Sequence, residues 1–249
     1  MIAACLEGQG SSAEYPQILR SLAIGNLAMN SINQKPPSSQ DEIPLPATPG
    51  EWVDAKADFG PGCLKILGHP VMEDWEDPYM ADLARIATSR RGRVLEVGFG
   101  LGISAGYVQQ ANVDEHVIIE ANADVFDRLC AFARSADRPV RPLSGLWQDV
   151  CPSLPGGCFD GILFDTYPLT REEVHRSHFL FFREAHRLLR PGGVLTYYSD
   201  ESDSLESHMG PLQEAGFQEI SWHLCAVQPP PECLYWQSGT FVSPVVVKT

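Results

Sequence analysis

Basic residues are few and nowhere clustered. The 249-residue chain carries 18 Lys and Arg against 32 Asp and Glu, a formal net charge of −14. Nucleic acids and anionic membrane surfaces both require clustered cations, so neither is an expected partner. Cys-x-x-Cys pairs are missing as well. The 7 cysteines (Cys5, Cys63, Cys130, Cys151, Cys158, Cys225 and Cys233) are scattered and odd in number, which indicates neither a disulfide framework nor a zinc site. No apolar run approaches a membrane span, and the N-terminus lacks a basic stretch followed by a continuous apolar core. The 7 histidines do not converge. His175 and His178 share a helix face but have no carboxylate or cysteine at ligand spacing, so no metal is expected. A Gly-x-Ser-x-Gly elbow is absent too. These absences leave a cytoplasmic protein acting on a small molecule, neutral or cationic, with its oligomeric state open.

What is present is a glycine-rich turn. Arg93–Val97 reads as a buried strand, followed by glycines at 98, 100 and 102 and a helix-compatible segment through Gln110. This is the pattern of the first βα turn of a doubly wound α/β domain, where a ligand lies against the carboxyl end of the strand. A dinucleotide fingerprint needs its third glycine at 103, where this chain has Ile103. That residue argues against a nucleotide-linked oxidoreductase. The Glu-x-Gly-x-Gly-x-Gly run from Glu96 to Gly102 suits S-adenosylmethionine instead, which has no pyrophosphate to seat on a helix N-terminus. An ordinary glycine-rich turn is the structural alternative, and a non-catalytic binding protein the functional one.

Residues 1–50 differ in character from the rest. Tyr15–Ile32 has the spacing of one amphipathic helix, and Gln34–Gly50 reads as a linker rich in Pro, Ser and Gln. From Glu51 onward strands are expected near Arg93–Val97, His116–Glu120, Val140–Leu143, Phe159–Asp165 and Gly193–Tyr198. Helices are expected near Met72–Thr88, Ile103–Gln110, Asp124–Phe132, Arg171–Leu189 and Ser204–Ala215. Pro191-Gly-Gly193 marks the end of the long helix. Two later β-rich runs, Glu219–Val227 and Thr240–Val247, would pair as an antiparallel hairpin at the sheet edge. The expected fold is α/β: a doubly wound, seven-stranded sheet of the class I methyltransferase (Rossmann-like) type, preceded by a lid segment near residues 52–80.

Candidate functional residues fall at the strand ends. Glu120 closes the apolar run Val117-Ile-Ile119, just over twenty residues after the glycine turn, where an acid accepts hydrogen bonds from ribose hydroxyls. Gly145-Leu-Trp147-Gln148 follows the third strand. Trp147 there either offers a flat face to a purine ring or plugs the core beneath the loop. Asp165, followed by Thr166, leaves the fourth strand beside the cofactor position, where a methyltransferase needs a base or an amine ligand. Asp160, at the start of that strand, reads as structural. Glu73, Glu76 and Met80 fall at i, i+3 and i+7, one face of the expected helix. They either complement the helix dipole or set a second carboxylate opposite Asp165. Tyr197 and Tyr198 end the fifth strand and wall the pocket.

Taken in order, Ile66–Met80, Arg93–Gly100, Asp114–Glu120, Gly145–Trp147, Phe159–Leu169 and Arg190–Tyr197 resemble the guanidinoacetate N-methyltransferase family, from about Trp52 to the C-terminus. The resemblance implies that Trp52, Met72, Met80, Phe99, Gly100, Leu101, Gly102, Ile103, Ser104, Glu120, Trp147 and Gln148 surround S-adenosylmethionine. It also implies that Glu76 and Asp165 hold the guanidino group, with Asp165 taking its proton. Where the family has Asn-Leu-Thr, whose backbone amides receive the substrate carboxylate, this chain has Ser199-Asp200-Glu201-Ser-Asp203 and a shorter following segment. Asp200 and Glu201 at the far end of the substrate pocket would repel a carboxylate. The expected substrate is therefore a small guanidino compound other than guanidinoacetate; an amidine or a nitrogen heterocycle of specialised metabolism is the alternative.

Overall fold

The computed structural model describes residues 43–249. The expected helix at Tyr15–Ile32 and most of the linker expected at Gln34–Gly50 lie outside the described residues. The central sheet contains β4 (Gly92–Val97), β5 (Val113–Glu120), β6 (Val140–Ser144), β7 (Phe159–Phe164), β8 (Leu189–Tyr197), β9 (Glu219–Ala226) and β10 (Thr240–Val247). Its seven strands run in the order β6-β5-β4-β7-β8-β10-β9. The first five strands pair in parallel, and β10 pairs antiparallel with both β8 and β9. The chain order reverses between β4 and β7, so the loops leaving those strands diverge and open a crevice at their carboxyl ends.

Both faces of the sheet are covered, which is why β7 is buried at every position. On one face Ile162 and Phe164 meet α6 (Ser177–Leu188), with Phe164 stacked on Phe181 at 4.3 Å. On the other, Leu163 packs with Tyr79, Met80 and Leu83 of α2 (Asp77–Ala87) and with Val108 of α3 (Ile103–Gln110). Gly161 makes the second contact possible: a Cβ there would fall 1.8 Å from the Ala87 carbonyl oxygen. Between the strands lie α4 (Ala123–Ser135) and the short α5 (Trp147–Val150), and α7 (Glu206–Glu214) precedes the final hairpin.

Three departures from the sequence reading matter for the site. The helix expected from Met72 begins only at Asp77. Ahead of it come α1 (Pro49–Asp54) and a three-stranded antiparallel meander, β1 (Ala57–Gly60), β2 (Cys63–Ile66) and β3 (His69–Glu73). Its second turn, Leu67-Gly68, has positive φ at both residues (51° and 83°), the conformation that a two-residue hairpin with right-handed strand twist demands. Glu73 therefore ends a strand, Glu76 lies in a 3₁₀ turn (Asp74–Glu76), and only Met80 is on the helix. The helix expected from Arg171 likewise begins at Ser177, because Glu173 turns back to accept the Leu169 amide at 2.8 Å. Finally, Pro191-Gly-Gly193 lies inside β8 rather than before it.

Candidate active site

The glycine turn is built around contacts that exclude side chains. Gly98 has φ 95°, and a Cβ on it would lie 1.8 Å from the carbonyl oxygen of Asp165. Only glycine lets the ends of β4 and β7 approach this closely. At Gly100 a Cβ would meet the Met72 sulfur at 2.9 Å. The following amide, Leu101 N–H, donates to that sulfur at 3.3 Å, which ties the turn to the meander above it. Gly102 caps α3 in the left-handed conformation, beneath the Phe99 ring.

Below and beside the turn, a pocket opens at the switch point. Trp52, Met72, Gly98, Gly100 and Glu120 line it, together with Trp147, Gln148, Asp165 and Thr166. Its roof is the meander with Trp52, whose ring stacks on Tyr167 at 5.0 Å. Asn122 holds this roof: its side-chain amide donates to the carbonyls of Trp52 and Ala55 at 2.9 and 2.8 Å, while its oxygen caps α4. Glu120 accepts the Phe99 amide at 2.9 Å on one oxygen and the Asn122 amide at 2.8 Å on the other. Burial raises the carboxyl's pKa, against the lowering effect of those amides. Trp147 packs its ring edge-on against Phe164 and Phe181 at 6.0 and 5.2 Å, as a plug beneath the loop would, and it also lines the pocket.

Two acids stand close enough to feel each other's charge, Asp165 in the pocket lining and Glu76 buried outside it. Asp165 is displaced to a pKa of about 7, first by burial and then by the charges of Glu96 and Glu120. No hydrogen-bond donor among the described residues reaches its carboxylate, and pocket solvent touches it. Glu76 is raised to about 8 by burial, with the charge of Asp165 adding and the Tyr235 hydroxyl opposing. Its Oε1 accepts the Glu73 amide at 3.0 Å, the reciprocal contact of a capping box, and the Tyr235 hydroxyl at 2.7 Å. No donor among the described residues reaches Oε2. Around Glu76 lies an aromatic wall. Tyr79 stacks on Phe241 at 4.3 Å, Trp236 stacks on Phe241 at 3.9 Å, and Tyr198 stands edge-on to Tyr79 at 5.4 Å.

Several expected site residues lie elsewhere. Glu96 is fully buried under the turn, accepting from Ser104 and pairing with His116 at 2.8 Å, so it braces β4 and α3 and does not face the pocket. Phe99, Leu101, Gly102 and Ile103 shape the turn from behind, and Met80 sits in the core on α2. Asp200 pairs with His175. Glu201 turns toward α7, accepting from Ser207 at 2.9 Å and lying 3.5 Å from His208. Neither carboxylate lines the pocket, which corrects the charge argument attached to them. Conversely, no spacing announced Tyr167 in the pocket lining, Tyr235 on Glu76 or Trp75 against Tyr235, although Tyr167 lies inside the Phe159–Leu169 segment. Among the described residues no group of His, Cys, Asp and Glu is arranged to hold a metal, and no helix is long and apolar enough to cross a membrane.

Comparison with known proteins agrees with this architecture. A family model described as guanidinoacetate N-methyltransferase matches residues 47–249. Protein arginine N-methyltransferase 2 of Yarrowia lipolytica is 31% identical over 173 residues, 65% of this chain and 36% of that protein. The Candida glabrata protein of the same name is 28% identical over 181 residues, 69% of this chain and 43% of that protein. The chain thus matches well under half the length of these curated relatives. Among solved structures, spermidine synthase from Thermotoga maritima superposes with a TM-score of 0.54 at 16% identity, covering 75% of this chain and 65% of that one. M. jannaschii TYW2 in complex with AdoMet gives 0.52 at 15% identity, covering 78% and 84%. At such identities the likeness speaks for the fold, that of class I methyltransferases.

Proposed function

The chain belongs to the guanidinoacetate N-methyltransferase family, and from that premise we propose that it methylates a nitrogen of a guanidino group. It is a methyltransferase, and its cofactor is S-adenosylmethionine. The pocket fits that cofactor. Gly98 and Gly100 leave a cradle that a Cβ would fill, Glu120 would present a carboxylate to ribose hydroxyls, and Trp147 and Gln148, also in the lining, would offer a surface to the purine. When bound, the cofactor supplies an electrophilic methyl on a positively charged sulfur.

The observation that carries the reading is Asp165. A carboxylate surrounded by protein, raised to a pKa of about 7 and reached by no donor among the described residues, is poised for a cation. Glu76, near enough for the charge of Asp165 to raise its pKa, offers a second free oxygen. Together they can grip the planar fork of a guanidinium by charge-assisted hydrogen bonds. A guanidinium has no free lone pair at neutral pH. As its nitrogen bonds to carbon and the carbon–sulfur bond breaks, an N–H proton becomes acidic, and Asp165 Oδ takes it. Glu76 keeps the fork in line, held by its Glu73 and Tyr235 contacts. The pocket lining includes Glu120, Asp165 and Glu173 but no Lys or Arg. With Asp200 and Glu201 turned away, the ground for expecting guanidinoacetate to be poor is the shorter segment after Ser199–Asp203, which leaves less chain to close over a small acid. The names of the arginine-methylating relatives extend the acceptor from small guanidines to arginine.

The test is incubation with methyl-labelled S-adenosylmethionine and a panel of guanidinoacetate, agmatine and arginine. Label is expected in agmatine or arginine well ahead of guanidinoacetate. Binding of the cofactor with no transfer to any guanidine would overturn the proposal.

A further inference from the structure

Glu96 is a fully buried acid that the chemistry above leaves without a task. It lies two residues before Gly98, outside the pocket lining. The parallel register Val97↔Phe164 continues one step further, because the Asp165 amide donates to the Val97 carbonyl at 2.9 Å. Glu96, opposite Leu163, therefore sits one strand across and two residues back from Asp165. With strands ~4.8 Å apart and a rise of ~3.3 Å per residue, their Cα atoms are roughly 8 Å apart.

A chain of polar contacts fixes the state of the Glu96 carboxylate. The Arg138 amide can only donate, and it donates to Gln109 Oε1 at 2.8 Å. Gln109 must then turn its Nε2–H toward His116 Nδ1, 3.4 Å away. With Nδ1 accepting, the ring is neutral and carries its one proton on Nε2. That nitrogen lies 2.8 Å from Glu96 Oε2, a close contact bent away from hydrogen-bond alignment. On the other side the Ser104 hydroxyl donates to Oε1. A hydroxyl and a neutral ring orient the carboxylate but cancel none of its charge.

Resting on the reading of Asp165 as the base, we propose that Glu96 is a positioning residue acting through it: the Gln109–His116 relay keeps Glu96 an anion, and that anion strengthens Asp165 as a proton acceptor. Burial acts first on Asp165, and among the charges Glu96 acts ahead of Glu120. The other groups near Asp165 do not offset this. Glu76 and Glu173 are acids, and Tyr79 and Tyr198 bring neutral hydroxyls. At an effective dielectric near 20, unit charges roughly 8 Å apart move a titration by about 1.5 pH units. A base whose titration lies close to working pH is the useful one.

The experiment reads Asp165 with and without chemistry. Thermal melts of the cofactor-free protein at pH 4 and pH 8 give the pH-dependent stability gain from Asp165→Asn, alone and beside Glu96→Gln. In the Glu96→Gln background that gain should shrink by about half, since Asp165 has lost roughly half of its displacement. The acidic limb of kcat/KM for agmatine should move down by about one pH unit in Glu96→Gln, because a less basic Asp165 ionises earlier. A packing role alone would not move that limb. Ring ¹⁵N shifts of His116 in the unmutated protein, which need no variant to fold, should show a single proton on Nε2 from pH 6 to 8. A gain unchanged by Glu96→Gln, or a doubly protonated His116, overturns the assignment and leaves the reading of Asp165 standing. A gain that shrinks while the agmatine profile stays in place overturns both, because Asp165 is then not the base.

Discussion

Replacing Asp165 by Asn should make the cofactor-free protein more stable and nearly inactive, with both effects arising from one cause. Burial lifts the carboxyl from its ordinary 3.8 to about 7. Between those values the folded chain holds a proton that the unfolded chain has released, so stability falls as pH rises through that window, and the deficit is complete above it. A displacement of roughly three pH units at about 1.36 kcal/mol each sets a ceiling near 4 kcal/mol. Pocket solvent reaches Asp165, so we expect about half of that or less. Asparagine has no charged form. At pH 8 the variant should therefore melt higher, by ~2–4 °C per kcal/mol for a domain of this size, and at pH 4 it should match the unmutated protein. In the reaction the same change removes the proton acceptor, which costs on the order of 10²–10⁴ in kcat. The assays are thermal melts at pH 4 and 8 and single-turnover methyl transfer to agmatine. A variant that is less stable at pH 8, or one that turns over at near the unmutated rate, refutes the reasoning.

Glu120→Ala should weaken S-adenosylmethionine binding by roughly 1.5–3 kcal/mol, the scale of hydrogen bonds to a charged group, as read by calorimetry on a protein whose melting shows it folded. Gly98→Ala forces a side chain into a left-handed conformation and against the Asp165 carbonyl. A loss of several kcal/mol in urea unfolding is expected, together with loss of cofactor binding. Asp200→Leu with Glu201→Thr should change the ratio of kcat/KM for guanidinoacetate to that for agmatine by no more than about twofold, because neither carboxylate lines the pocket and each is engaged elsewhere, with His175 and with Ser207.

The parts of the site carried by the parallel sheet were legible in the sequence because their signals are local. The Gly98–Gly102 turn, Glu120 at the end of β5 and Asp165 just beyond β7 each follow an apolar run that can only be a buried strand. The meander was not legible. Its strands are four and five residues long, too short to show a period, and the acid-rich Asp74–Pro78 stretch reads as the start of a longer helix. Glu76 was named for the wrong geometry: it lies in a 3₁₀ turn, held by a capping contact, and not on a helix face. Tyr235 was invisible because it lies 159 residues from its partner Glu76, and only the fold brings them together. Asp200 and Glu201 misled because sequence position places a residue on a loop but does not say which way its side chain turns. Here His175 and α7 decide that.

The central claim is methyl transfer to a guanidino nitrogen, and the bond formed can be seen directly. Single turnover with ¹³C-methyl S-adenosylmethionine and agmatine labelled with ¹⁵N in its guanidino group should give a product showing one-bond ¹³C–¹⁵N coupling, abolished in Asp165→Asn. Transfer of the methyl to the primary amine or to carbon, without that coupling, would contradict the account.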